Sequence, residues 1–151
     1  MFVVLLLFGA YRSLGGAPLR AADAGVLLRS LHALLRASID DLATALTSVG
    51  SAEVADSDDG RRARRVSASV QQTLDRLPPP GELADGDAAT RALLGAAAED
   101  IGWAWRMLQA DGANTGITAA VAALAAHASE CCDQALELLG SVPVGEPLHG
   151  T

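Results

Sequence analysis

The clearest pattern in the sequence is a row of apolar positions between Ile117 and Val142, spaced by alternating steps of four and three residues. This spacing predicts an α-helix with one buried seam, because residues three and four apart lie on the same helix face. Such a seam is stable in water only when it packs against other helices. The positions that form it are Ile117, Val121, Leu124, Ala128, Cys131, Ala135, Leu138 and Val142.

Three earlier segments show the same kind of spacing. Pro18 suits the first position of a helix, and apolar residues continue at helical intervals to residue 49. A shorter helix is predicted over 61–77, and another over 87–110 with Asp87 as its N-cap. The inward positions are Leu27, Leu31, Leu35, Ile39, Leu42, Leu46 and Val49, then Val66, Val70, Leu74 and Leu77, then Leu94, Ala97, Ile101, Trp105 and Leu108.

Residues that favour turns separate these segments. Residues 51–60 are typical of a polar loop, and the Pro-Pro-Pro-Gly run at 78–81 stops the second helix. The next turn falls at 111–115, where Thr115 can cap the last helix, and Gly140 can end it. No strand-like alternation of useful length is present. The sequence therefore predicts an all-α fold, an up-and-down four-helix bundle, with an additional short N-terminal helix as an alternative.

A chain of 151 residues, of which 50% are hydrophobic, accommodates one compact core. We divide it into an apolar N-terminal segment (1–16), the helical bundle (17–140) and a flexible tail (141–151). About a fifth of the residues are alanine, which favours helix and lets helices approach closely.

The N-terminal segment admits two interpretations. Its apolar run, Met1–Ala10, is too short to cross a bilayer, which takes about 20 residues. It lacks the basic residue that precedes the apolar run of a signal peptide, although residues 13–15 are small enough in part for a cleavage site. If Met1 is retained, we expect a cytoplasmic protein with this segment as a first helix. If residues 1–15 act as a signal, we expect a secreted or membrane-associated protein, and membrane contact is then made through the N-terminus.

The third predicted helix carries a second apolar stripe, formed by Ala96, Trp103 and Met107. A helix that is apolar on two faces is either central in its bundle or reserves one face for a partner. Gly95 and Gly102 cost helix stability relative to alanine, so they indicate a close approach of another backbone. Candidate interface residues are Ala96, Trp103 and Met107, and a second set is Phe2, Leu5 and Phe8 of the N-terminal segment.

The charge of the chain bears on its partners. A net charge of −7 argues against nucleic-acid binding, which needs a basic face for the phosphates. The basic run Arg61, Arg62, Arg64 and Arg65 follows a group of acidic residues. It is either a solvated helix start with local neutralisation or a docking patch for an acidic partner.

The sequence offers few residues for chemistry. Cys131 and Cys132 are adjacent in a predicted helix, where they cannot bond to each other, so no intrachain disulfide is expected. His127 and Cys131 are four residues apart and share a helix face, a spacing that suits a metal ligand pair or a nucleophile with its base. Two ligands are fewer than a structural zinc site uses, so we predict neither a metal nor a cofactor and keep this pair as weak candidates.

Known catalytic patterns are absent from the sequence. The Glu-x-x-His motif that di-iron bundles carry on two helices is absent from the predicted helices, because neither His32 nor His127 has an acidic residue three positions earlier. The sequence also contains no phosphate-binding glycine loop, no Gly-x-Ser-x-Gly and no His-Glu-x-x-His. Neighbouring carboxylates such as Glu99 and Asp100 point about 100° apart on a helix and do not converge on one substrate. We therefore expect a non-enzymatic bundle that acts through contact with a protein partner or a second copy of itself. A bundle that binds a metal or an apolar ligand is a further alternative.

Two segments resemble the plant invertase and pectin methylesterase inhibitor family. Residues 35–46 (Leu-Arg-Ala-Ser-Ile-Asp-Asp-Leu-Ala-Thr-Ala-Leu) resemble its helix with an A-V-D-x-L rhythm, and residues 129–136 (Ser-Glu-Cys-Cys-Asp-Gln-Ala-Leu) resemble its closing L-C-x-x-A-L helix. The resemblance implies a secreted four-helix inhibitor of carbohydrate-active enzymes. The chain departs from the family in lacking its disulfide pairs, and Gly116 stands where that family has an interhelical cysteine.

Overall fold

The computed structural model describes residues 19–47, 58–111 and 115–140. These residues form four long helices: α1 (Ala24–Thr47), α2 (Asp58–Asp75), α3 (Asp85–Asp111) and α4 (Thr115–Gly140). One 3-10 turn, Ala21–Asp23, precedes α1, and a second, Pro80–Glu82, precedes α3. Of the described residues 93% are helical and none is in a strand, so the predicted all-α four-helix bundle is confirmed.

Side-chain contacts between helices define their directions. Ser67 donates a hydrogen bond to the carbonyl of Ala98, and Gln71, one turn later on α2, donates to Gly95, which lies earlier on α3. Since the partners run in opposite order, α2 and α3 are antiparallel. The contacts between α1 and α4 show the same reversal. Both α1 and α3 pack against all the other helices, and α2 and α4 lie on opposite sides of this central pair.

The core contains most of the predicted inward positions, but near the start of α1 Leu28 is fully buried whereas the predicted Leu27 is half-buried. The predicted positions Leu46 and Val66 are also half-buried. On α3 all five inward positions are at most 1% exposed, and they include Trp105 and Leu108. The indole Nε1 of Trp105 finds no hydrogen-bond partner among the described residues. The largest fully buried side chains are Trp105, Leu28, Leu35, Leu42, Leu94, Ile101, Leu108, Val70 and Val121.

The buried seam of α4 moves by one position towards its end. Val121, Ala128, Cys131 and Ala135 are buried as predicted, but near the end Leu139 is 3% exposed whereas Leu138 is only half-buried. A strict seven-residue repeat drifts by about 20° per repeat on a straight α-helix. Over three repeats the drift turns the following residue, Leu139, towards the core.

The contact between α2 and α3 is close and largely polar. A Cβ atom built on Gly102 would lie 3.1 Å from the Oγ of Ser67, so this glycine makes room for a side chain and not for the second backbone that was predicted. At Gly95 the nearest atom, from Leu74, is 3.9 Å away, which is ordinary packing distance. Ser67 and Gln71 donate hydrogen bonds to α3 carbonyls at this contact, with the serine side chain close to Gly102 and looser packing at Gly95.

Three polar side chains of α1 attach it to α4. Arg29 donates to the carbonyl of Leu139 at 3.0 Å, and the Nε2 of His32 lies 3.0 Å from the carbonyl oxygen of Cys132. Arg36 donates to the Oγ of Ser129 at 2.9 Å and pairs with the carboxylate of Asp133 at 3.0 Å. These contacts follow the helical spacing of 29, 32 and 36, so one edge of α1 faces α4 along much of its length.

Helix boundaries differ from the prediction at three starts. The helix expected from Pro18 begins at Ala24, after the 3-10 turn Ala21–Asp23. Asp58, placed in the polar loop 51–60, is the first residue of α2, and Asp85 rather than Asp87 begins α3. Both helices start with acidic residues, which interact favourably with the positive end of the helix dipole. Part of the acidic group that precedes the arginine run therefore belongs to the first turn of α2.

Some predictions fall on residues outside the described ranges. They include the apolar segment with Phe2, Leu5 and Phe8, the tail 141–151, and Val49 and Val142. Within residues 19–47, 58–111 and 115–140, no helix is both long enough and apolar enough to span a membrane.

Candidate functional site

Trp103 projects from the outer face of α3, opposite the buried stripe. Its exposed fraction is 51%, whereas Trp105, two residues later, is 1% exposed. The guanidinium carbon of Arg106 lies 4.2 Å from the centroid of the Trp103 ring, a cation–π geometry. Arg106 follows Trp103 by three residues and so shares its helix face. The pair forms a flat, partly desolvated platform on the bundle surface.

Ala96 and Met107 occupy a different environment from Trp103. Both are half-buried and pack against the core. Helical spacing places Ala96, Trp103 and Met107 all on the side of α3 that carries Asp100, whose carboxylate contacts His127 on α4. Burial, and not direction, separates Ala96 and Met107 from Trp103. Packing against α4 accounts for part of the second apolar stripe. Of the three predicted interface residues on α3, Trp103 is the most exposed.

A groove of about 510 Å³ runs between α2 and α3 beside this platform. Gly102, which precedes Trp103 on α3, lines the groove and contributes no side chain to fill it. The side chain of Arg64 crosses from α2 to the Oε1 of Gln109 on α3. The residues that line the groove are Arg64, Ser67, Ala68, Gln71, Ala98, Glu99, Gly102 and Arg106.

Two arginines, Arg64 and Arg106, line this groove together with one carboxylate, Glu99. Arg61, Arg62, Arg64 and Arg65 lie in the first half of α2, and Arg106 adds a charge from α3. Asp58 pairs with Arg61 at 2.7 Å, and this hydrogen bond and charge hold the pKa of the Asp58 carboxyl below its usual value. Elsewhere the chain is acidic overall, with a net charge of −7. With two arginines and one carboxylate in its lining, the groove has an excess of positive charge on an acidic protein. We call Trp103, Arg106 and this groove the Trp103 surface.

A second cluster lies between α3 and α4. The Nδ1 of His127 is 2.5 Å from the Oδ2 of Asp100, and its Nε2 is 3.9 Å from the Sγ of Cys131. The His127 side chain is 59% exposed and that of Asp100 17%, whereas Cys131 is 6% exposed. The imidazole therefore bridges a carboxylate on α3 and a covered thiol on its own helix. We call these three residues the cysteine–histidine cluster.

The carboxylates around this cluster govern its protonation. The hydrogen bond that His127 donates to the Asp100 carboxylate, together with the charge of that carboxylate, raises the pKa of His127. Burial raises the pKa of the Cys131 thiol, and the charges of Asp100 and Glu130 raise it further. The neighbouring thiol of Cys132 is more deeply buried, and burial raises its pKa to about 11. Both cysteines are therefore protonated thiols at neutral pH.

The weak pair predicted from the sequence, His127 and Cys131, does come together, and Asp100 is the partner that sequence reasoning missed. The contact between Asp100 and His127 could have been found from the antiparallel pairing of α3 and α4. Asp100 and His127 are nearly equidistant from the connection at 112–114, so antiparallel helices place them side by side. Glu99 instead lines the α2 side, so the two adjacent carboxylates diverge as predicted.

The described residues contain no group of three or more His, Cys, Asp or Glu side chains arranged to hold a metal ion. His32 lies across the α1–α4 contact, where its Nε2 meets the carbonyl oxygen of Cys132. His149 lies outside the described ranges. Any metal bound by His127 and Cys131 would therefore have two protein ligands from this part of the chain.

Comparison with known proteins gives no family for this chain. No family model matches the sequence, and neither a curated protein nor a solved structure matches it. The resemblance to the invertase and pectin methylesterase inhibitors therefore stays a prediction.

Proposed function

We propose that this protein is a non-enzymatic helical bundle that works by contact with a protein partner, and that the Trp103 surface makes the contact. The observation that carries this proposal is the half-exposed indole of Trp103, held against Arg106 at 4.2 Å. Tryptophan and arginine are the residue types most enriched at the energetic centres of interfaces. A rigid platform of this kind loses little side-chain entropy when it is covered.

The charge around the platform favours one kind of partner. Arg64 and Arg106 outnumber the single carboxylate, Glu99, in the lining of the groove, whereas the chain as a whole repels acidic molecules. An acidic segment is thus attracted to this region and turned away from the remainder of the surface. The partner that fits is an acidic protein segment with an apolar side chain that can cover Trp103. A second copy of this acidic chain is one such partner, and a different protein is the other.

A matched pair of variants tests the proposal. Trp103→Ala removes the platform, and Leu136→Ala removes a side chain of similar exposure, 55%, from α4. The probe is a fluorescently labelled peptide with leucine and phenylalanine among glutamates and aspartates. Fluorescence anisotropy should show that it binds wild type and Leu136→Ala equally, and Trp103→Ala about 30-fold more weakly, as for an interface hot spot of about 2 kcal/mol. An uncharged peptide with asparagine and glutamine in place of the acids should bind weakly to all three.

Sedimentation of wild type and Trp103→Ala distinguishes the two kinds of partner. If the wild type self-associates and Trp103→Ala is monomeric, the partner is a second copy. The proposal fails if the protein neither binds the acidic peptide nor self-associates, or if either interaction survives Trp103→Ala. It also fails if Trp103→Asp abolishes the helical circular dichroism signal, because Trp103 then belongs to the core.

A further inference from the structure

The cysteine–histidine cluster presents two metal-ligating atoms to one point in space. With Asp100 accepting the hydrogen bond of the Nδ1–H of His127, the lone pair of Nε2 is directed away from the carboxylate and towards Cys131. The Nε2 and Sγ atoms are 3.9 Å apart. A zinc ion bound at about 2.0–2.1 Å to nitrogen and 2.3 Å to sulfur in tetrahedral geometry places these ligands about 3.6 Å apart. A few tenths of an ångström separate the observed arrangement from that of a metal chelate.

We propose that His127 and Cys131 bind a divalent zinc-class cation through Nε2 and Sγ, with Asp100 as the positioning residue that fixes the imidazole. Histidine ligands of metals regularly donate their other ring N–H to a carboxylate, and the pair formed by Asp100 and His127 has this arrangement. Binding exchanges protons for the metal. The S–H bond of Cys131 breaks, as does the Nε2–H bond of His127 when the imidazole is protonated. Sulfur–metal and nitrogen–metal bonds form, and the protons leave to solvent.

The surrounding charges favour a cation over a thiol nucleophile. Asp100 on α3 and Glu130 on α4 both act on His127 and Cys131, and no positive group is among the influences on either. This negative field opposes a bare thiolate, which a nucleophile requires, and attracts a divalent cation. With a dipositive ion in place, the two carboxylates and the thiolate are nearly neutralised.

Access to the site comes from the histidine side. The His127 side chain is 59% exposed, whereas Cys131 is 6% exposed, so a cation reaches the sulfur past the edge of the imidazole. Two protein ligands leave the remaining positions of a tetrahedral ion to water. Such an open site binds less tightly than a four-ligand structural zinc site.

The adjacent cysteine supplies the matched control. Cys132 has the same chemistry but is fully buried and turned towards the core, away from His127. The probe is Co²⁺ added to the chelator-treated, reduced full-length chain, because thiolate-bound Co²⁺ has a near-ultraviolet charge-transfer band. We expect this band in wild type and in Cys132→Ala, its loss in Cys131→Ala and His127→Ala, and its disappearance when Zn²⁺ is added in competition. Asp100→Asn should weaken the apparent affinity by about 10- to 100-fold, as loss of a supporting carboxylate does in other metal sites.

Circular dichroism of each metal-free variant establishes that its helices are intact. The proposal is overturned if wild type gives no band with Co²⁺ in excess, if the band persists in Cys131→Ala, or if it depends on Cys132. It is also overturned if Asp100→Asn binds as tightly as wild type, since the carboxylate then has no positioning role. These outcomes leave the peptide-binding test of the Trp103 surface unaffected.

Discussion

The inner and outer faces of α3 place two tryptophans, two residues apart, in opposite environments. Trp105 is 1% exposed and packed in the centre of the bundle, whereas Trp103 is 51% exposed beneath Arg106. The same side chain is thus part of the core at one position and available for binding at the other. The position of each residue around the helix axis, and not its residue type, determines which of the two roles it has. The three predictions below test this difference between the faces, in order of decreasing expected effect.

The largest effect is expected on the inner face. Trp105→Ala deletes a fully buried indole and leaves a cavity, so the free energy of unfolding should fall by about 3–5 kcal/mol. Urea denaturation followed by circular dichroism measures this change. Trp105→Phe should cost much less, because it keeps most of the ring and removes the unpartnered indole N–H. Trp103→Ala, the outer-face control, should cost less than about 1 kcal/mol. Equal losses for Trp103→Ala and Trp105→Ala would contradict the assignment of the faces.

A smaller effect is expected at the α2–α3 contact, which lies between the two faces. Ser67 is 4% exposed and donates to the carbonyl of Ala98 at 2.5 Å. Ser67→Ala should lower the free energy of unfolding by about 0.5–1.5 kcal/mol, the net value of one hydrogen bond. The matched control is Ser69→Ala on the same helix, at a half-buried position away from this bond. A stability change at Ser67 no larger than at Ser69 would show that packing, rather than this bond, holds α2.

The smallest effect is expected where α3 contacts α4. There the free energy of unfolding should depend on pH, and this dependence is measured in the presence of a chelator. Asp100 from α3 and Glu130 from α4 raise the pKa of His127 in the folded chain, and the Cys131 thiol faces the same imidazole. The stabilisation is therefore fully present below the unfolded histidine pKa of about 6.5 and is lost as pH rises through the folded value. Wild type should lose stability relative to His127→Gln between about pH 6 and pH 8. Parallel pH profiles for the two proteins would refute this contribution.

The fold was predictable because it depends on local periodicity. Apolar spacing located all four helices, and the inward positions of α3 are buried without exception. The errors have physical causes: Asp58 extends α2 because acidic residues suit a helix start, and Leu139 replaces Leu138 because a straight helix drifts from a seven-residue repeat.

The candidate sites were less predictable because they depend on which helices are neighbours. The spacing of His127 and Cys131 put them on one face, but Asp100 belongs to another helix and enters only through the register of the hairpin. The groove beside Trp103 likewise needs α2, with Arg64 and Gly102 on either side. The spacing of apolar residues within one helix does not indicate which residues of another helix lie beside it.

The attachment of α1 to α4 by Arg29, His32 and Arg36 has a topological consequence. Since Arg29 meets the carbonyl of Leu139, the beginning of the first helix and the end of the last lie at the same end of the bundle. A short linker from Gly140 to Leu19 would therefore close the chain, and new termini could be opened between Thr47 and Asp58. Such a circular permutant retains every interhelical contact of the original, while α1 changes from the first helix made during synthesis to the last.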